Sequence, residues 1–249
     1  MKNSVKITLI NILIILFISC ITPLDKVKTY YTKGEISELQ GKSSLALSYY
    51  KTALDYTEKI DNSSFFYKNY YKSLIYFKLG DKGKGLKFIE TLSNPPLEYE
   101  NQYLLLKAIY FNENRFFKLS LNISELLLHA KDESLKREGF KIFINSLINL
   151  RQNNSISKKE YKSYLNKINK VVLTRYAFPE YHYCYFNLLL NDKSYEKALE
   201  EGVLSLEFGL SGSKRKDLLY SLKFIKSVID KKLLIKYKKF FRRYNVTDN

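Results

Sequence analysis

Tyr30-Tyr31-Thr32-Lys33-Gly34-Glu35-Ile36-Ser37-Glu38-Leu39-Gln40-Gly41-Lys42-Ser43-Ser44-Leu45-Ala46-Leu47-Ser48-Tyr49-Tyr50-Lys51-Thr52-Ala53 is the stretch that decides how this chain folds. Gln40-Gly41 punctuates it, and the residues on either side are helix formers. Gly34 lies on the first segment. Ala46, Tyr50 and Ala53 follow on one face of the second at helical spacing. Two antiparallel helices approach closely only where a small side chain faces the partner, and an aromatic ring one turn away fills the space beside it. The stretch therefore predicts a tight helix pair closed by a glycine turn.

Outward from it the same grammar continues. Helical patterns are read at 27–39, 43–59, 65–79, 83–93, 98–111, 115–130, 132–150, 158–173, 179–190, 194–208 and 214–240. The breaks fall at Asp61-Asn62-Ser63, Gly80-Asp81, Asn94-Pro95-Pro96, Asn112-Glu113-Asn114, Asn153-Asn154-Ser155, Asn191-Asp192 and Gly209 to Gly212. No segment keeps the alternation of a strand. Only 4 Pro and 9 Gly occur in 249 residues, so few positions stop a helix. Apolar residues at 45% and charged residues at 27% are the composition of a folded chain. The fold class is all-α, built of antiparallel helix pairs.

The segment Tyr30 to Ala53 resembles a tetratricopeptide repeat, with Gly34, Gly41, Ala46, Tyr50 and Ala53 at its small, turn and small-aromatic-small positions. A second copy reads Tyr76, Leu79-Gly80-Asp81, then Gly85, Ile89 and Leu92. A third runs from Tyr99 to Ala130, with Tyr110 in register and Leu119 and Leu126 at the small positions. A late copy runs from Tyr181 to Phe208, with Ala198, Gly202 and Ser205 on its second helix. The resemblance implies a superhelical array over 28–130, a divergent helix pair over 131–175, a further repeat-like pair over 176–210 and a C-terminal capping helix with a basic tail over 211–249. In that last helix Leu218, Leu222, Ile225, Ile229, Leu233, Tyr237 and Phe240 trace one face, and Lys223, Lys226, Lys232, Lys236, Lys239, Arg242 and Arg243 lie largely off it. It reads either as the cap of the array or as a basic amphipathic helix touching anionic headgroups.

The N-terminus reads as an export signal over 1–19. Lys2 and Lys6 precede an apolar run of about twelve residues from Ile7 to Ile18. Such a helix rises roughly 18 Å at ~1.5 Å per residue. That is short of the ~30 Å hydrocarbon core, which favours a signal peptide over a span. Phe17-Ile18-Ser19-Cys20 resembles the lipobox of bacterial lipoproteins in the relaxed form of spirochaete members, with Phe17 and Ser19 standing where the stricter pattern has Leu and Ala or Gly. The resemblance implies lipidation of Cys20, cleavage before it and a short lipidated tether over 20–27. An ordinary secretory signal or an uncleaved anchor ending in a chance cysteine is the other reading.

The net charge is +17, falling by two to +15 once Lys2 and Lys6 leave. Lysine is spread along the chain and arginine is scarce, which is the pattern of a solvated surface rather than of a phosphate-reading patch. No nucleic-acid partner is expected. Cys184 is the one other cysteine, so a lipidated Cys20 leaves no intramolecular disulfide, and its apolar surroundings predict a buried thiol. Gly80-Asp81-Lys82-Gly83-Lys84-Gly85 lacks phosphate-loop spacing. His129 and His182 have no ligand-spaced partner, and Cys184 lies two residues from His182, which points the two side chains apart on a helix. No catalytic residue, metal site or cofactor is expected, and the chain reads as a non-enzyme.

Function then falls to the surface. In the repeat register the first helices present Tyr31, Glu35 and Glu38, then Tyr67, Tyr70, Leu74 and Phe77, then Leu104 and Phe111. These residues read either as an aromatic groove for an extended peptide or partner helix or as core. The expected role is a membrane-anchored, extracytoplasmic scaffold binding an envelope protein or peptide, on the periplasmic face or at the outer membrane or cell surface. An envelope enzyme with an unrecognised site and a structural or host-facing surface lipoprotein are the alternatives.

Overall fold

The computed structural model describes residues 22–246. Residues 1–21, with the expected export signal and Cys20, and residues 247–249 lie outside them. Thirteen α-helices and no strand occur among the described residues. They are α1 (Pro23–Leu39), α2 (Ser43–Thr57), α3 (Phe65–Lys78), α4 (Lys82–Glu90), α5 (Glu100–Glu113), α6 (Phe117–Leu127), α7 (Glu133–Gln152), α8 (Lys158–Thr174), α9 (Pro179–Asn191), α10 (Tyr195–Glu207), α11 (Gly212–Val228), α12 (Lys231–Lys236) and α13 (Lys238–Arg243). Two short 3₁₀ turns, Asn62–Ser64 and Leu97–Tyr99, sit between pairs. No described helix is long and apolar enough to cross a membrane.

The chain divides into two compact units, one ending at Tyr103 and the next starting at Leu104, inside α5. In the first unit α1 packs on α2, α2 on α3, and α3 on α4. Gly34 is buried under the Tyr50 ring, where a Cβ would fall 2.4 Å from the ring edge. Ala46, Tyr50 and Ala53 are all buried, as are Gly85, Ile89 and Leu92 at the matching positions of the next pair.

In the second unit α6 packs on α7, α7 on α9, α9 on α10, and α10 on α11. Its core gathers Phe140, Phe143, Leu147, Tyr181, Phe186 and Leu199. Gly202 is pressed between Phe186 of α9 and Leu218 and Leu222 of α11. Within the span read as a divergent pair, the small residue Gly139 faces Leu127 of α6, not α8.

One closure recurs. After α1, α3, α5, α7, α9, α10 and α13 a residue with positive φ follows the cap, and the next amide bonds back to the carbonyl five residues earlier: Lys42 to Ser37, Asp81 to Tyr76, Phe116 to Phe111, Ser155 to Leu150, Ser194 to Leu189, Leu210 to Ser205 and Val246 to Phe241. This is the Schellman closure, which satisfies the last carbonyls and reverses the chain at once. Gly41 and Gly80 take the left-handed position at no steric cost, with φ of 73° and 82°.

Three expectations change. Residues 23–27 are helical rather than tether, because Thr22 and Asp25 form a capping box and Pro23 starts the helix. The third copy is displaced by one residue. Leu119 and Leu126 are exposed, while Ser120 is buried and donates to the Ala108 carbonyl at 2.9 Å. Ser146 and Asn112 extend that polar chain, at 3.0 and 2.8 Å, across α5, α6 and α7. The C-terminal helix is three helices. Ile229 is extended at ψ 157°, and the Asp230 side chain accepts from the Leu233 amide at 2.8 Å, which starts α12 afresh.

The α8 start shows how local chemistry sets a boundary. Ser157 Oγ accepts from the Glu160 amide at 3.2 Å, and the Glu160 carboxylate accepts from the Ser157 amide at 3.0 Å. Hydrogen bonds from the Ser157 side chain and then its backbone hold the Glu160 carboxyl below its ordinary value. That contribution is present above the ordinary carboxylate range and is lost as pH falls through the lowered folded value. Ser157→Ala is expected to cost about 1 kcal/mol in urea denaturation at neutral pH, with a smaller difference from the parent in strong acid.

Candidate functional site

The expected groove residues of the first unit come from two helices. Tyr31, Glu35 and Glu38 lie on α1 at steps of four and three. Tyr67, Tyr70, Leu74 and Phe77 lie on α3 at steps of three, four and three. Each set is therefore one face of its helix. Tyr31 of α1 packs edge-on against Tyr71 of α3, with ring centroids 6.0 Å apart, and tilted against Tyr50 of α2 at 5.6 Å.

The structure sorts these residues. Tyr70 is buried, stacked on Phe66 at 5.8 Å with Tyr99 edge-on at 5.1 Å, so it belongs to the core and not to a groove wall. Phe77 is half-buried and turned toward Gly85 of α4, where it fills the gap that glycine leaves. Leu74 is half-buried. Tyr31, Glu35 and Tyr67 are half-buried and Glu38 is exposed, which leaves an accessible tyrosine and carboxylate face. Leu104 and Phe111 are half-buried in the second unit, where Phe111 packs on Tyr110 and Phe116.

Residues that the periodicity does not point to complete the face. Tyr99, on the 3₁₀ turn after Pro95-Pro96, sets its ring edge against Tyr67 at 5.2 Å, and its hydroxyl lies 3.4 Å from that of Tyr71. The Tyr67 hydroxyl donates to Glu98 Oε1 at 2.8 Å. Lys28 of α1 sits 6.0 Å from the Tyr67 ring centroid. Lys78 of α3 is paired with Glu38 across the helices. Tyr99 and Glu98 fall at the start of the helical pattern read at 98–111, but they lie on the 3₁₀ turn ahead of α5 and not on the helix.

The electrostatics follow from burial. Burial pushes the Tyr31, Tyr70 and Tyr71 hydroxyls well above the ordinary tyrosine value. The nearby Glu35 carboxylate adds to this at Tyr31, and the Tyr99 hydroxyl adds at Tyr71. Burial opposes ionisation of Glu38, but the Lys78 ammonium outweighs it and leaves the carboxyl below its usual range. The Tyr50 hydroxyl is buried near Glu38. Burial, and after it the Glu38 carboxylate, holds that hydroxyl in its neutral form. The face thus offers rings, neutral hydroxyls and ionised carboxylates.

The second unit holds the chain's other chemistry-bearing residues. His182 is buried, with Nδ1 2.6 Å from Glu201 Oε2 and Nε2 2.7 Å from the Tyr176 carbonyl. Both ring nitrogens are thereby committed. Cys184 points elsewhere, beside Lys141, Asn145, Asn187 and Lys214. Burial pushes its thiol up to about 12, which leaves almost none of the thiolate that nucleophilic chemistry needs. His129 is exposed. Among the described residues no group of three His, Cys, Asp or Glu side chains is placed to hold a metal ion. Scanned against known family models and against curated proteins, the sequence gives no match, and the reading of function rests on this geometry.

Proposed function

We propose that the chain is a lipid-anchored, extracytoplasmic scaffold whose helix pairs form a tetratricopeptide-like array and whose role is non-catalytic capture of an envelope protein or peptide. The observation that carries this reading is on α1 and α3: half-buried Tyr31 lies beside Glu35, exposed Glu38 follows on the same face of α1, and half-buried Tyr67 of α3 donates to Glu98. Tyrosine gives large contact area at low entropic cost. The carboxylates favour a partner segment carrying lysine or arginine next to apolar side chains. The repeated Schellman closures and the small residues buried between paired helices support the array. The apolar run ending at Cys20 supports the anchor.

The anchor and the face are tested separately. Cys20→Ala is expected to abolish fatty-acid labelling and to release the protein from the membrane fraction or leave it unprocessed; labelling that persists overturns the anchor. For the face, the informative changes are Tyr67→Ala and Glu38→Lys, because Tyr70 is core. Together they are expected to reduce the partner crosslinked in membranes about tenfold with an unchanged helical circular dichroism spectrum. Undiminished crosslinking overturns the face assignment.

A further inference from the structure

The break at Ile229-Asp230 folds the end of the chain back on itself and opens a cavity of about 480 Å³ between the end of α11 and helices α12 and α13. Its floor is apolar, made by Leu234, Ile235, Phe241 and Val246. Phe241 and Val246 are buried, while Ile235 is 67% exposed at the cavity's edge. Its rim is cationic. Lys231, Lys238 and Arg242 are exposed around the mouth, and Lys226 walls one side while donating to the Val246 carbonyl at 3.1 Å. Among the described residues no carboxylate lines the cavity. The nearby acidic residues are engaged elsewhere: Glu200 with Lys236, Glu207 with Arg243, and Asp230 with the Leu233 amide. An apolar floor below the exposed cations Lys231, Lys238 and Arg242 is complementary to a hydrocarbon chain ending in an anion.

We infer that this cavity binds a single-chain anionic amphiphile of the long-chain fatty acid type. The chain lies along Leu234, Ile235 and Phe241. The carboxylate sits between Lys231, Lys238 and Arg242, whose guanidinium supplies a planar donor fork. The size falls within the roughly 300–1,000 Å³ of small-molecule sites, and the open mouth lets the head group remain hydrated. The inference depends on neither the anchor nor the tyrosine face, since all its residues lie in the last helices of the second unit.

The test uses the full chain in the membranes of cells that express it. A photoactivatable hexadecanoic acid is compared with the matching neutral hexadecanol and with a photoactivatable diacyl phosphatidylglycerol, and adducts are mapped by mass spectrometry. The acid is expected to label the peptides spanning 231–246, roughly tenfold more than the alcohol does. Lys231→Glu combined with Lys238→Glu should remove that excess, and Ile235→Asp should do so independently; all three positions lie at the surface, so the helical spectrum is retained. Equal labelling by acid and alcohol overturns the inference, as does labelling that survives both variants. Adducts formed only by the diacyl probe overturn it in favour of a bilayer-facing surface. Acyl groups joined at Cys20 map to a different peptide and cannot be mistaken for these adducts.

Discussion

Gly139→Ala is expected to destabilise the second unit by about 2 kcal/mol, lowering its thermal midpoint by roughly 4–8 °C. Alanine is the better helix former by nearly 1 kcal/mol, so on propensity alone the change should help. Packing reverses the sign. A Cβ at Gly139 would stand 2.4 Å from Leu127 Cβ and 3.2 Å from its Cδ1. A Cβ is fixed by its own backbone, so no rotamer change relieves the overlap; α6 and α7 must separate. Separation would also pull on Ser120, whose hydroxyl is tied to Ala108 in one direction and to Ser146 in the other. Gly83 is the internal control. It is exposed on α4, and its added Cβ would meet only Asp81 Oδ1, at 3.9 Å. Gly83→Ala is expected to stabilise by up to about 1 kcal/mol. Chemical denaturation of both variants checks the pair. If Gly139→Ala also stabilises, the α6–α7 approach is looser than its geometry requires.

Gly139 also marks where the sequence is legible and where it is not. Helix existence and most breaks can be read directly, because each break needs a left-handed residue or a cap, and Gly, Asn and Asp announce them. The small positions of the first, second and late pairs can be read as well: Ala46, Gly85, Ala198 and Gly202 are buried at the spacing expected of them. Which helix a small residue faces is another matter. Spacing along one helix gives a face but not its partner, and so Gly139 reads as part of a pair with α8 when it packs on α6. The shift from Leu119 to Ser120 has a similar origin. A hydrophobicity pattern scores leucine above serine, whereas here a buried hydroxyl bonded to a carbonyl decides the register. The C-terminal helix misleads for the opposite reason: its apolar spacing continues in phase across Asp230, and only the capping bond reveals that the backbone has stopped. In the candidate site, Tyr31, Glu35, Glu38 and Tyr67 are recoverable from helical register. Tyr99 and Glu98 fall inside the pattern read at 98–111, but their place against Tyr67 does not follow from it, because they lie on a 3₁₀ turn ahead of the helix.

His182→Leu is expected to be the most damaging exchange of a single polar side chain, costing about 3 kcal/mol. The ring lies between Tyr176, edge-on at 5.4 Å, and Phe208, stacked at 5.6 Å. Nε2 donates to the Tyr176 carbonyl in the turn between α8 and α9, and a proton bridges Nδ1 and the Glu201 carboxylate on α10. Leucine approximates the volume but supplies no donor. The Tyr176 carbonyl then loses its partner, and so does a Glu201 side chain that is 18% exposed. A carboxylate left so poorly solvated accounts for most of the expected loss. The double variant His182→Leu with Glu201→Leu should therefore recover part of the stability, because two apolar groups cost less than one orphaned charge. Ser205 sharpens the readout. Its hydroxyl donates to the Pro179 carbonyl at 2.8 Å, so the start of α9 keeps a second tie to α10 that does not involve the histidine. Hydrogen exchange should then rise first in the 175–178 turn and only later in the body of α9. If the single losses simply add in the double variant, or if the turn and the helix exchange together, the histidine is acting as packing volume and not as a latch.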